Sequence, residues 1–161
     1  IRNYYGTNFK ISSIRLWRIL PSPNSDNDKS ELYSNTWHQD EYKTSGLRLF
    51  VLMCDNVKKD SGATRFISRT KTKRIMRRIG YWNRWIVSSS IRNWLKNEKN
   101  INHFEGNFGD VAIINVQHCL HAANIPKPGT YRDILQFEIY PSKNENSDLF
   151  SSVIDELPIK N

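Results

Sequence analysis

The chain has 161 residues, 38% of them hydrophobic, with five Trp, seven Tyr and seven Phe, and it carries a formal charge of +8 with a pI near 9.6. This is one domain's worth of globular composition, enough to bury a core without covalent staples, and it excludes a disordered chain. The longest apolar run, Leu49–Cys54, is far short of the roughly 18 residues that cross a bilayer, and two cysteines, Cys54 and Cys119, are too few for a disulfide framework or a thiolate cage, so the expected setting is reducing and cytoplasmic, with no membrane contact.

Residues 1–161 read as a single domain. Ile11–Leu20 (ISSIRLWRIL) mixes β-branched and aromatic residues in partial alternation and predicts a strand. Residues 21–29 (PSPNSDNDK) have loop composition. A short strand is expected at Thr36–Gln39, and a longer one at Leu47–Cys54, between Gly46 and Asp55. A Ser61-Gly62 turn leads into a strand at Ala63–Ile67. The stretch 66–104 carries the helical signal and is expected to form an insertion that lids the site. Thr70–Ile79 fits a helix, and Ser90–Glu98 has an N-capping Ser with apolar residues at 91, 94 and 95. Strands resume at His103–Gly106, at Asp110–Val116 after Gly109, and at Gln117–Ala122. Tyr131–Tyr140 follows the Pro128-Gly129 turn and is expected to stop at Pro141. Residues 142–161 read as a tail with a weak segment at Leu149–Leu157. About eight short strands around one helical insertion predict a mostly-β barrel or sandwich, whose mouth is a common place for a site.

The positive charge is uneven. Arg65, Arg69, Lys71, Lys73, Arg74, Arg77 and Arg78 follow one another with no acid between them. The ordinary reading is a solvated face. Two others stay open: a dock for an anionic group on a small-molecule substrate, and a nucleic-acid surface, although no recognition motif accompanies the charge.

The chemistry-bearing residues begin at Trp37-His38-Gln39-Asp40-Glu41. On a strand, positions 38 and 40 share a face, so an imidazole and a carboxylate converge. The remaining histidines are His103, His118 and His121. Two histidines with one carboxylate make the facial triad of non-haem Fe(II) sites, which leaves positions open for a bidentate keto acid and for O2. 2-Oxoglutarate also needs a fixed cation for its far carboxylate, and the planar fork of Arg suits it best. Arg132 lies eleven residues after His121, across a turn containing Pro126, Pro128 and Gly129, and antiparallel neighbours joined this way are expected to put both side chains in one cavity. His118 competes for the ligand role but has the opposite strand parity. Arg132 has a structural alternative as an ion pair with Glu41 or Asp133. Cys119 shares parity with His121, and Trp17 faces either the cavity or the core.

Together WHQDE at 37–41, DSGATRF at 60–66, GD at 109–110 and HAANIPKPGTYRDIL at 121–135 resemble the phytanoyl-CoA dioxygenase-like branch of the Fe(II)/2-oxoglutarate oxygenases. The resemblance covers roughly residues 11–141. It implies a double-stranded β-helix, a cupin-like jelly roll, with His38, Asp40 and His121 as iron ligands and Arg132 as the anchor of 2-oxoglutarate. It further implies O2-dependent hydroxylation of a C–H bond in a small organic substrate, with release of succinate and CO2. Two departures from the family's pattern stand out. A hydroxyl-bearing residue often lies two places after the distal histidine, where this chain has Ala123. The family's usual N-terminal helical part is also expected to be missing before Ile1. The alternative to an oxygenase is a non-catalytic jelly-roll domain that binds a small ligand or a nucleic acid.

Overall fold

The computed structural model describes residues 1–21, 36–40, 46–79, 85–86 and 101–143. The elements among them are α1 (Arg2–Tyr5), β1 (Asn8–Ile19), β2 (Trp37–His38), β3 (Leu47–Leu52), β4 (Thr64–Phe66), α2 (Arg69–Ile79), β5 (Trp85–Ile86), β6 (Asn102–Phe104), β7 (Val111–Ile114), β8 (His121–Ala123) and β9 (Arg132–Ser142). The strands form two antiparallel sheets, ordered β1-β9-β3-β7 and β5-β2-β8-β4-β6. The chain changes sheet at each step from β1 to β4 and again from β7 to β9. That winding makes the fold mostly β and a double-stranded β-helix, or jelly roll.

β9 organises the larger sheet because it pairs with β1 on one side and β3 on the other. From Arg132 to Glu138 its buried positions fall at every second residue, Arg132, Ile134, Gln136 and Glu138, as the two-residue period of a strand requires, and Ile139 is buried on the other face. Across β1, Arg132, Ile134 and Gln136 face Ile19, Trp17 and Arg15, and across β3, Ile134, Gln136 and Glu138 face Leu52, Phe50 and Arg48. The inner face therefore alternates between core and polar cavity wall. Ile134 and Leu52 pack with Phe50, Val57, Phe104 and Val116 between the sheets. Each fully buried aliphatic side chain of this kind contributes about 1.5–3 kcal/mol.

The smaller sheet is backed by α2. Thr72, Ile75 and Met76 are its buried stripe, at the spacing of a helix that covers a sheet with one face. Ile75 and Met76 join a core of Trp37, Ile67 and Leu120. The Thr72 hydroxyl accepts the Leu120 N–H at 3.1 Å and donates to the Ile67 carbonyl at 3.3 Å, pinning the helix just before β8. The basic residues Arg69, Lys71, Lys73, Arg74, Arg77 and Arg78 are the exposed face of α2.

Several boundaries differ from expectation, each for a local reason. β9 continues through Pro141, which pairs with Phe9, because β3 pairs with β9 no further than Ile139 and leaves that side an edge where a missing N–H costs little. β8 begins at His121 rather than Gln117, because the His118 and Cys119 N–H groups close a turn on the Asn115 carbonyl. The expected helical insertion contains a strand, β5, paired with β2, and α1 had no sequence signal. The expected helix at Ser90–Glu98, residues 22–29 of the first loop, Glu41, and the segment Leu149–Leu157 lie outside the described residues. Among the described residues no helix is long and apolar enough to cross a membrane.

Candidate metal centre

β2 and β8 are adjacent antiparallel strands, and their register sets His38 directly opposite His121. Directly opposed side chains are close neighbours, and the two rings lie 4.3 Å apart, centroid to centroid. Asp40 follows His38 by two residues and turns to the same side. Its backbone N–H donates to the Val116 carbonyl at 3.1 Å, and the Gln39 side chain donates to the Gln117 carbonyl at 2.7 Å. These two bonds hold the segment after β2 against the turn that precedes β8.

Asp40 Oδ1 lies 3.4 Å from His38 Nε2 and 3.7 Å from His121 Nε2. The three donor atoms all fall within 4.8 Å of one another, so one ion can reach them together. The protonation pattern is set from behind. His38 Nδ1 is 2.6 Å from the Thr36 carbonyl, and His121 Nδ1 is 3.1 Å from the Cys119 carbonyl. A carbonyl only accepts, so each Nδ1 carries the proton and each Nε2 presents a lone pair to the centre, the arrangement that orients metal-binding histidines. Burial, with the neighbouring charge of His38, pushes the pKa of His121 down to about 4. For Asp40, burial works upward but is outweighed by its neighbours His38, His121 and Arg48, and the carboxyl stays below its ordinary range.

This yields a pH expectation. In the unfolded chain His121 takes up a proton near its ordinary value of 6.5, whereas in the folded chain it stays neutral to about 4. Between those values the unfolded state binds more protons, so stability falls as the pH falls. Thermal melts of metal-free protein should decline from pH 6.5 towards pH 4, and His121→Gln should flatten that decline.

Arg48 grips the other oxygen of Asp40. Its Nη2 and Nε lie 2.8 and 2.9 Å from Oδ2, and its Nη1 pairs with Glu138, its cross-strand partner on β9. The side chains of this triad are each only 10–12% exposed. With Oδ2 occupied by Arg48, Asp40 offers Oδ1 alone to an ion. Arg48→Met should leave two buried carboxylates without their shared cation, a loss of roughly 3–5 kcal/mol. That corresponds to a drop of roughly 10 °C in the melting temperature. A divalent cation should recover part of it by neutralising Asp40.

Arg132, at the start of β9, is 3% exposed. Its Nη1 donates to the Thr64 hydroxyl, its Nε has no partner, and among the described residues no acid pairs with it. Asp133, the expected alternative partner, points to the other face and is held by Arg18 through two 2.7 Å bonds. Burial pushes the pKa of Arg132 down to about 10, so it stays charged at neutral pH. A buried cation without a counter-ion is costly, and this one borders the same cavity of about 470 Å³ as His38, Asp40 and His121. Thr64 was not anticipated. It sits on β4 directly opposite Ala123, so a hydroxyl stands beside position 123 from across the sheet. The turn before Thr64 depends on Gly62, whose φ is +93° and where an added Cβ would meet Pro126 at 2.8 Å.

His118 is absent from the centre because it sits on the turn before β8, not on the strand. Strand parity was therefore the wrong reason for setting it aside. Cys119 is on the same turn, half-buried against the core, and contributes its carbonyl. Trp17 both packs on the core and lines the cavity. None of the basic residues of α2 lines it.

No family model matches the sequence, and no curated protein does. Solved structures do share its fold. The non-heme alpha ketoglutarate dependent carbocyclase SnoK from nogalamycin biosynthesis has a TM-score of 0.57 at 14% identity, over 87% of this chain and 53% of SnoK. HygX from Streptomyces hygroscopicus, solved with iron bound, has a TM-score of 0.54 at 14% identity, over 92% of this chain and 68% of HygX. The same protein with nickel and 2-oxoglutarate bound has a TM-score of 0.54 at 13% identity, over 88% and 60%. AviO1 from Streptomyces viridochromogenes Tue57 has a TM-score of 0.53 at 11% identity, over 88% and 55%. The chain thus spans about half the length of SnoK and AviO1, and what it shares with all three proteins is the jelly-roll fold.

Proposed function

We propose that this chain is the core of an Fe(II)/2-oxoglutarate-dependent oxygenase of the phytanoyl-CoA dioxygenase-like kind, hydroxylating a C–H bond of a small organic substrate. The observation that carries the reading is Arg132, a buried guanidinium with no counter-ion among the described residues, bordering the cavity that holds a two-histidine, one-carboxylate donor set. One cavity thus asks for a metal ion and for a carboxylate, and 2-oxoglutarate brings a metal-chelating end and a distal carboxylate in one molecule. The donor set of two imidazole nitrogens and one carboxylate oxygen fits Fe(II) and leaves positions open for ligands. A ferrous ion at this site would supply O2 activation, coupling oxidation of a C–H bond to conversion of 2-oxoglutarate into succinate and CO2.

The chain's own residues do the rest. His38 and His121 present Nε2, fixed by the carbonyls behind them. Arg48 keeps Asp40 to a single oxygen. Arg132 and Thr64 take the distal carboxylate; the Thr64 hydroxyl accepts from Arg132 and so can donate its own proton to that carboxylate. Phe50, Ile19 and Trp17 line the cavity with apolar surface, which limits water around the reacting atoms. The test is conversion of 2-oxoglutarate by ferrous-loaded protein in air. The expected result is succinate release that Asp40→Ala abolishes. Protein that retains iron and 2-oxoglutarate yet forms no succinate, with or without candidate substrates, would favour a binding domain.

A further inference from the structure

We infer that the cavity holds a second anion position, formed by Arg15 and Gln136, which takes the carboxylate of a monoanionic, largely apolar substrate. The inference rests on the oxygenase reading for the word substrate. The position itself rests on geometry.

Arg15 and Gln136 are directly opposed across β1 and β9, and both line the cavity. Gln136 is 3% exposed, and its Nε2 is buried with no hydrogen-bond partner among the described residues. A buried amide donor left unsatisfied costs about 1–3 kcal/mol, so it calls for an acceptor from a ligand. Beside it, the Arg15 side chain is 55% exposed, and its one ion pair among the described residues is a long 3.5 Å contact with Glu138. Glu138 is already committed to Arg48. A guanidinium with a slack partner beside an orphaned amide donor suits a carboxylate entering from the cavity mouth.

This position is distinct from Arg132. Gln136 is four residues further along β9, about 14 Å at the rise of an antiparallel strand. Between them lies the pair Trp17 and Ile134, so an apolar body laid along β1 meets Trp17 while its anion meets Arg15.

Charge balance points to a single negative charge. In the loaded site a ferrous ion and a doubly charged 2-oxoglutarate cancel. Arg18 and Asp133 cancel each other. The remaining cavity arginines, Arg15, Arg48 and Arg132, carry three positive charges against the two negative charges of Asp40 and Glu138. One positive charge is left over the loaded site, and once the far carboxylate of 2-oxoglutarate answers Arg132, Arg15 is the arginine whose acid, Glu138, is shared with Arg48.

The test uses aryl carboxylates as probes: phenylacetate, 3-phenylpropionate and indole-3-acetate, each against its primary amide. Binding is read by ligand-observed NMR on metal-free protein and on protein loaded anaerobically with Fe(II) and 2-oxoglutarate. At least one acid should bind about tenfold more tightly than its amide, the scale of one charged hydrogen bond. Arg15→Gln should reduce that ratio to about one, and Gln136→Glu, which replaces the donor by a like charge, should remove acid binding while amide binding survives. Equal binding of acids and amides, no acid binding at all, or an unchanged ratio in Arg15→Gln would overturn the proposal. A 2-oxoglutarate titration on the same samples tests the oxygenase reading separately: acid preference without 2-oxoglutarate binding would keep the Arg15 position and sink that reading.

Discussion

His121→Ala should strip the protein of its metal, while His118→Ala should leave metal retention nearly intact. The two residues are three apart, yet only His121 lies on β8, opposite His38, with Nε2 at 3.7 Å from Asp40. His118 is on the preceding turn, where Arg69 and Lys73 add to burial in holding its pKa down. Loss of a residue behind a ligand typically costs 10–100-fold in metal affinity, so loss of a ligand itself should exceed roughly 100-fold. Competition with a fluorescent chelator for Fe(II) or Mn(II), under anaerobic conditions, measures it. The reverse pattern would mean that the register of β8 on β2 is wrong.

Arg132→Ala should weaken 2-oxoglutarate binding by at least about tenfold with Fe(II) affinity preserved, since one charged hydrogen bond is worth about 1.5–3 kcal/mol and breaking a buried pair roughly 3–5. Arg132→Lys should recover only part, because an ammonium cannot reproduce the two-pronged contact. Thr64→Val should produce a smaller loss in the same direction. It removes a neutral hydroxyl and leaves Arg132 Nη1 without its acceptor. Calorimetric titration of the anaerobic Fe(II) protein separates these effects. Wild-type affinity in Arg132→Ala would mean that its orphaned nitrogen serves something other than the co-substrate.

The local parts of this site were legible because strand geometry is local. The His38–Asp40 spacing fixes a shared face. The Pro-Gly turn between His121 and Arg132 marked two strands but suggested antiparallel neighbours, whereas β8 and β9 lie in different sheets and both border the cavity. The existence of β9 was visible too, but not its inner face, since Leu135, Phe137 and Ile139 alternate on one parity while Arg132, Ile134, Gln136 and Glu138 on the other line the interior. What the sequence did not expose was cross-strand partnership. Thr64 is legible as a strand residue but not as the neighbour of Ala123, and Arg48 gives no sign of holding Asp40. Both depend on register between segments distant in the chain, which pairing and packing set. The turn before β8 was missed for a related reason. Asn115 is a turn former, but the run from Gln117 to Ala122 is apolar enough to pass for a strand, and the parity argument about His118 inherited that error. The basic run at 65–78 drew attention because charge is conspicuous in one dimension. In three dimensions most of it is the exposed face of α2, and the cations that border the cavity are scattered across β1, β3 and β9.

One cavity should bind Fe(II) and 2-oxoglutarate together, with the keto acid chelating the ion. The most direct measurement is the visible absorption spectrum of anaerobic protein as Fe(II) and 2-oxoglutarate are added in either order. A weak charge-transfer band should appear only when both are present, vanish in Asp40→Ala, and fail to form when succinate, which has no keto group, replaces 2-oxoglutarate. Protein saturated with both that shows no such band would contradict the account.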